Sequence, residues 1–394
     1  MRALPVDGRR GGRSATLRSD TAHRIIGTFT AGAPAPAAIL KEVPDLSQSV
    51  PPSELTDLDR AVLTEIQAGF PVSWAPYCDI AETLSAKGEP VTEIDVLNSV
   101  LKMRETGVIR RVGAIFDSYR LGYRSTLCAI AAPNERIEEV AGIIGTYPNV
   151  THNYEREDRY SVWFTLIAPS DADIQRILDE IAQRTGIHDI LNLPAIRLFK
   201  IRVDFDFTGE RSARGEAPPI VKPAEIEPVV LAEDEKELVR LLQDDLPTSE
   251  HPFSELHEML EFRGTDRSEE WVRETTQRWI DTGVIRRFGA AIKHHKTGFA
   301  ANAMGVWDCP EDRVEEVGPV LASFKEVSHC YERPRLPQWP ANLYTMIHAR
   351  TRDEVEQIAE RLRDASGLPA PRLLYSTREF KKASMRYFME DTKE

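Results

Sequence analysis

Four blocks of this sequence occur twice, in the same order and at nearly constant spacing. Gly107–Ala114 reads GVIRRVGA and Gly283–Ala290 reads GVIRRFGA, identical at seven of eight positions. Val150–Arg156 (VTHNYER) returns as Val327–Arg333 (VSHCYER), and Leu193–Phe199 (LPAIRLF) as Leu368–Leu374 (LPAPRLL). Upstream, FPVSWAPYCDIA at 70–81 aligns with LPTSEHPFSELH at 246–257, and all four offsets fall between 175 and 177. Self-similarity at one fixed period marks a duplicated structural unit. This period is far too long for a solenoid, so the expectation is a tandem of two domains of roughly 155 residues, paired with each other or across a dimer.

Hydrophobic periodicity resolves each half into the same elements. Asp57–Gln67 carries an apolar helical stripe (Leu58, Ala61, Val62, Ile66), Tyr77–Leu84 makes a second short helix, and Thr92–Glu105 a third, with Thr92 as N-cap and Gly107 as stop. The apolar strand Val108–Phe116 follows, completing a winged helix-turn-helix pattern. Next come a strand (Thr126–Ala132), a helix (Glu135–Thr146), strands Val150–Arg156 and Tyr160–Ala168, a helix (Ala172–Thr185) and a last strand around Ala195–Val203. That order is the ferredoxin-like βαββαβ fold. The second half repeats it, with helices near 233–243, 253–260 and 268–281 and the βαββαβ run from 301 to 380. The expected class is α+β, a tandem duplication. A disordered tail spans 1–52, helix-turn-helix modules 53–113 and 229–289, ferredoxin-like domains 114–207 and 290–388. The proline-rich stretch 208–228 between the halves reads as a linker.

Charge and composition narrow the function. A net charge of −13 opposes polyanionic partners without excluding a local basic pocket. No stretch approaches the roughly 20 apolar residues that span a bilayer, so no membrane partner is expected. Four scattered cysteines (Cys78, Cys128, Cys309, Cys330) form no CxxC pair and fit reduced thiols in the cytoplasm. No HExxH, EF-hand or Walker pattern is present, so no metal is expected to be held by the protein alone. Residues 1–41 hold seven Lys/Arg against Asp7 and Asp20, with no secretory h-region. They read as a tail or transit-like segment outside the fold.

A helix-turn-helix joined to a ferredoxin-like domain is also the layout of Lrp/AsnC-type regulators, so DNA binding is the main rival. The first turn of a recognition helix normally offers Arg, Lys, Asn or Gln to the groove. Here it offers Glu93 and Asp95 in one half and Asp266, Glu269 and Glu270 in the other. Carboxylates there suit the helix dipole but repel phosphate. No DNA partner is expected.

The chemistry concentrates in the V[ST]HxYER strand. Alternate strand residues share a face, so Val150, His152, Tyr154 and Arg156 should point one way, as should Val327, His329, Tyr331 and Arg333. Such a stripe is either a solvated or salt-bridged sheet surface, or a site for an anionic ligand. Arginine clamps carboxylates, and histidine delivers protons near neutral pH. Arg110-Arg111 and Arg286-Arg287 should aim one arginine of each pair inward; Arg159, Arg197, Arg335 and Arg372 add to the available guanidinium. Trp163 and Tyr344, beside Phe164 and Met346, are strand core or apolar walls for a flat macrocycle. His294-His295 reads as a solvated loop, and His251 and His257 as structural or surface residues.

At these blocks, with GVIRRVGAIFDSYRLGY and VSHCYERPRLPQWPANLYTMIHA added, the chain resembles the sirohaem decarboxylase family over about residues 55–207 and 229–388. Members are Lrp/AsnC-like paired proteins of haem d1 and alternative haem biosynthesis, here with both subunits fused. The resemblance implies loss of CO2 from the C12 and C18 acetates of sirohaem, giving 12,18-didecarboxysirohaem. No added cofactor is implied, because the macrocycle accepts the electrons; a bound haem is compatible. Partners would be sirohaem and its products, in an intrachain pseudo-dimer or a homo-oligomer. His152 or His329 would protonate the exocyclic carbon or ligate the substrate iron. Tyr154 and Tyr331 would orient the reacting groups, and Arg110, Arg111, Arg156, Arg286, Arg287 and Arg333 would hold the carboxylates. Cys330 in place of Asn153, and the proline-rich insertion at Pro334, Pro337 and Pro340, set the halves apart, so one pocket is expected to be degenerate. The alternative is a tetrapyrrole-responsive regulator.

Overall fold

The computed structural model describes residues 55–88, 90–201, 219–292 and 301–389. The expected tail 1–52, most of the linker and His294-His295 lie outside the described residues.

Each half opens with three helices and a strand: α1 (Asp57–Ala68), α2 (Pro76–Ser85), α3 (Glu93–Glu105) and β1 (Ile109–Phe116) in the first; in the second, α6 (Glu233–Leu242), α7 (Pro252–Phe262), α8 (Glu269–Asp281) and β7 (Ile285–Ile292). Thr92 caps α3 in a reciprocal box with Asp95, as its position before the apolar run predicts. The two wings do not stay apart. β1 and β7 pair antiparallel, and one hydrophobic core spans both helical modules and reaches Met385 and Tyr387. Gly113 and Gly289, the glycines of the GVIRRxGA blocks, sit where the other half's first helix ends. A Cβ there would lie 2.6 Å from the carbonyl oxygen of Asp244 and 2.4 Å from that of Ile66, respectively. The repeated glycine is thus a close-approach site between modules.

The remaining elements build one nine-stranded sheet. The first half supplies β2 (Arg124–Ile130), α4 (Ile137–Gly145), β3 (Val150–Arg156), β4 (Val162–Ala168), α5 (Asp171–Thr185), β5 (Ile190–Pro194) and β6 (Arg197–Ile201). The second supplies β8 (Ala301–Trp307), α9 (Val314–Ala322), β9 (Val327–Glu332), β10 (Leu343–Ala349), α10 (Arg352–Ser366) and β11 (Arg372–Lys382). The order is β5-β2-β4-β3-β11-β8-β10-β9-β6.

That order shows an exchange. The last strand expected at 195–203 is β6, and an unexpected strand, β5, precedes it: β5 stays on β2 in its own half, and after Ala195 and Ile196 the chain crosses to β9 as β6. β11 does the same without a break, pairing first with β8 and then with β3. Register corrects one part of the repeat alignment. Leu193 opposes Leu127 as Leu374 opposes Met304, and Arg197 opposes Glu332 while Arg378 reaches Glu155. The structural counterpart of RLFKI (197–201) is therefore REFKK (378–382), and LPAPRLL matches LPAIRLF in letters only. Helices of each half pack on one face of the sheet over separate cores, and a further core from both halves fills the opposite face. Trp163 and Tyr344 belong to this inner core and Phe164 to the helix side, so all three are packing residues. Leu198 and Val221 exchange hydrogen bonds, which ties the end of the expected linker to β6.

Candidate active site

On β3 and β9 the expected stripes form from the histidine onward. Asn153 donates to the carbonyl of Ala141 and Cys330 to that of Gly318, which fixes those residues on the helix side. Val150 and Val327, however, also pack in the helix-side cores, contrary to simple alternation. A register shift lies between Val150 and His152, and another beside His329. Such bulges re-aim a side chain. Here they bring the preceding hydroxyl to the imidazole: Thr151 Oγ1 lies 3.0 Å from His152 Nδ1, and Ser328 Oγ 2.8 Å from His329 Nδ1.

The rings stack alike in both halves. His152 and Tyr154 centroids are 6.2 Å apart, and those of His329 and Tyr331 6.1 Å. Arg156 lies 5.8 Å from the Tyr154 ring and Arg333 4.7 Å from the Tyr331 ring. Both guanidiniums are buried, and each reaches into the opposite half. Arg156 donates to Leu374 O at 2.9 Å, and Arg333 donates to Leu193 O. Among the described residues neither has a carboxylate partner, and each Nε is buried without an acceptor. Burial lowers both, Arg156 to about 10.

The histidines from the two halves share one environment. Burial, reinforced by the charge of Lys382, pulls His152 down to about 4. Burial pulls His329 to about 3, with His348, His152, Arg286 and Arg333 acting in the same direction. Both rings keep an accessible face while protein desolvates them, as for groups lining a recess. They are neutral at pH 7, so the unliganded protein holds no imidazolium there. The Tyr154 phenol is raised by burial and by Glu379, to whose carboxylate it donates at 3.1 Å; Tyr331 is raised by burial against the opposing charges of Arg333 and Arg286.

The arginine pairs divide their labour. Arg110 and Arg286 are the members whose charge reaches His152 and His329. Arg286 is braced by Asp117 at 2.9 Å. Arg111 and Arg287 instead clamp backbone, donating to Ala114 O and Ala290 O three residues on, and Arg111 also to Gln243 O. In this structure those two guanidiniums hold the wings. Arg159, Arg197, Arg335 and Arg372 are likewise spent on Asp189, Glu332, Asp308 and Asp158. His251 stacks on Trp74 at 3.8 Å and His257 faces Glu261, both structural.

Sequence reasoning missed His348, Lys382 and Glu379. His348 Nε2 sits 2.8 Å from Ser328 Oγ, and burial lowers it to about 4. Lys382 and Glu379 oppose His152 and Tyr154 on the exchanged strand, where Ile201 and Leu198 oppose His329 and Tyr331. Two broad surface grooves, of about 900 Å³ along α5 and about 410 Å³ beside α6 and α7, carry none of these side chains. Among the described residues no cluster of His, Cys, Asp and Glu could hold a metal ion. No described helix is long and apolar enough to cross a membrane.

Two helix-turn-helix modules and two α+β domains of the ligand-binding type, fused and interlocked as an intrachain pseudo-dimer, define an Lrp/AsnC-like protein. Residues 120–200 and 296–381 match the AsnC-like ligand binding domain, and 59–110 and 235–286 the siroheme decarboxylase NirDL-like HTH domain. The chain is 36% identical over 331 residues to the siroheme decarboxylase of Hydrogenobacter thermophilus, covering 84% of this chain and 95% of that one. One half alone matches the siroheme decarboxylase alpha subunit of Nitratidesulfovibrio vulgaris, 49% identical over 148 residues, 38% of this chain and 81% of that one. The crystal structure of the siroheme decarboxylase NirDL in co-complex with an iron-uroporphyrin III analogue superposes with a TM-score of 0.65 at 32% identity, covering 85% of this chain and 96% of that one. The chain belongs to the siroheme decarboxylase family.

Proposed function

We propose that this chain is a carboxy-lyase that removes CO2 from the C12 and C18 acetates of sirohaem, giving 12,18-didecarboxysirohaem, in the haem d1 branch and in the cytoplasm. The observation that carries the reading is the pair of His–Tyr–Arg stripes, brought from both halves into one electropositive environment. A substrate ringed with carboxylates answers that field. Arg110, Arg156, Arg286 and Arg333 are the arginines we assign to it; of these Arg156 and Arg333, buried without a carboxylate partner among the described residues, gain most from a substrate carboxylate.

Binding would also change the histidines. Each substrate carboxylate raises the proton affinity of a nearby imidazole, offsetting the burial and cationic charge that keep it neutral. As CO2 leaves, the C–C bonding pair passes into the macrocycle, and His152 or His329 returns a proton to the exocyclic carbon. Positioned acid catalysis of this kind contributes on the order of 10²–10⁴-fold. Tyr154 and Tyr331, stacked beside the rings, orient the departing carboxylate. A neutral ring nitrogen can also ligate the substrate iron, and one nitrogen cannot serve both ends. No added cofactor is needed for this chemistry.

The regulator reading fares worse. Glu93 and Asp95 fall in the first turn of α3, Glu269 and Glu270 in that of α8, and Asp266 lies just ahead of the Ser268 cap, so the helix starts that would face DNA carry carboxylates. Anaerobic incubation with sirohaem, followed by visible spectra and product mass, tests the proposal. Loss of one and then two CO2 is expected. An unchanged substrate, together with a salt-resistant shift of duplex DNA, would favour the regulator.

A further inference from the structure

The halves differ most in what stands behind the histidine. In the second half, Ser328 Oγ lies 2.8 Å from His329 Nδ1 and 2.8 Å from His348 Nε2, a continuous His–Ser–His chain. Its other contact, to Met346 O at 3.5 Å, is at the outer limit of a hydrogen bond. In the first half, Thr151 repeats the hydroxyl, but the chain stops there. Ser125 opposes Ile167 as Asn302 opposes His348, so Ile167 occupies the position of the second imidazole.

A serine hydroxyl has one hydrogen and two acceptor sites. Between two neutral rings it donates to one and accepts from the other, which couples their tautomers. We propose that Ser328 and His348 form a relay that resupplies the proton His329 delivers, making the second half the one that turns over. This rests on the decarboxylase reading. The C–C pair of the leaving carboxylate moves into the macrocycle, and the methylene carbon takes the Nε2 proton of His329. Ser328 passes its proton to His329 Nδ1, His348 Nε2–H replaces it, and half-buried His348 takes up at Nδ1 the one proton the reaction consumes. The sum is a carboxylate plus one proton giving a methyl group and CO2; both imidazoles end in the other tautomer, and uptake of a proton at His329 Nε2 with release of one from His348 Nδ1, by the reverse hops, resets the chain. No imidazolium has to be populated beforehand, which suits rings that burial keeps neutral. Exposed Lys382 lies within electrostatic reach of His348 and disfavours a resident positive charge there. Arg156 acts on His348 in the same sense, and His329 is flanked by Arg286, Arg333 and His152. His348 is thus a positioning and relay residue that acts through His329.

The test compares wild type, Ser328→Ala, Ser328→Thr, His348→Ile (the first-half residue) and the double variant Ser328→Ala/His348→Ile, with sirohaem under anaerobic conditions. Ser328→Ala and His348→Ile should each slow decarboxylation at least about tenfold, with sirohaem affinity from spectral titration unchanged. The double variant should be no slower than either single one, and Ser328→Thr should recover most of the loss. Wild-type rates in H2O/D2O mixtures should bend with deuterium fraction, as for several protons in flight, and become linear in His348→Ile. Wild-type rates in His348→Ile, or losses that multiply in the double variant, would overturn the relay. A wild-type protein that releases no CO2, or a His329→Ala variant at full rate, would instead remove the reading beneath it.

Discussion

Arg156 crosses from the first half to donate to the carbonyl oxygen of Leu374 in the second, at 2.9 Å, and Arg333 makes the reciprocal bond to Leu193. A buried cation with no anion beside it costs free energy, so it is kept for something other than stability. Arg156→Met should leave unfolding free energy within about 1 kcal/mol, because the bonds to Leu374 O and the weak acceptor Met346 Sδ are lost while a desolvated charge is removed. Sirohaem affinity should fall about tenfold or more, the worth of a charge-assisted bond. Chemical denaturation and a spectral titration check both; a large loss of stability with unchanged affinity would make Arg156 purely architectural.

Among the described residues, burial pulls three histidines down, His152 and His348 to about 4 and His329 to about 3. The unfolded chain binds protons at these positions from about pH 6.5 downward and the folded one does not. Their contribution to stability is complete above about pH 6.5 and is lost as pH falls toward 4. Melting temperature should therefore drop through that window, and His152→Gln should flatten the slope. An equal slope in the variant would show that His152 is not desolvated in the folded protein.

Glu379 holds the Tyr154 hydroxyl, while Leu198 stands opposite Tyr331. A carboxylate next to a site for carboxylates repels its ligand. Glu379→Leu, which copies the second half, should tighten sirohaem binding or add a second equivalent in a spectral titration. Weaker binding would mean that Glu379 supports the ligand through Tyr154.

The repeated glycine allows a stability test of how the modules meet. Gly289→Ala places a Cβ 2.4 Å from the Ile66 carbonyl oxygen, a backbone atom that cannot rotate away. It should cost about 1–3 kcal/mol. Gly142→Ala, in α4 with nothing within 4 Å, should instead stabilise by about 0.5–1 kcal/mol. Equal effects in denaturant melts would contradict the close approach.

The duplicated order and the Thr92 cap were legible in the sequence because each rests on local pattern. The bulges at Thr151 and Ser328 were not, since alternation assumes an unbroken ladder and moves Val150 and Val327 to the wrong face. The strand exchange was also hidden. LPAPRLL resembles LPAIRLF, but pairing partners more than 100 residues away decide that Arg378 is the counterpart of Arg197. The carboxylates that occupy Arg159, Arg197 and Arg335 were concealed as well, because they stand 30, 135 and 27 residues away on other elements. His348 escaped because a search for residues present in both halves passes over one whose counterpart is Ile167. Its signal was the asymmetry itself.

The most direct measurement is the mass of the products formed anaerobically from sirohaem by His152→Ala and His329→Ala, each beside wild type. If His329 delivers the proton, His329→Ala should accumulate unreacted or singly decarboxylated sirohaem while still binding it. Full conversion to the doubly decarboxylated product by both variants would contradict the assignment of these histidines.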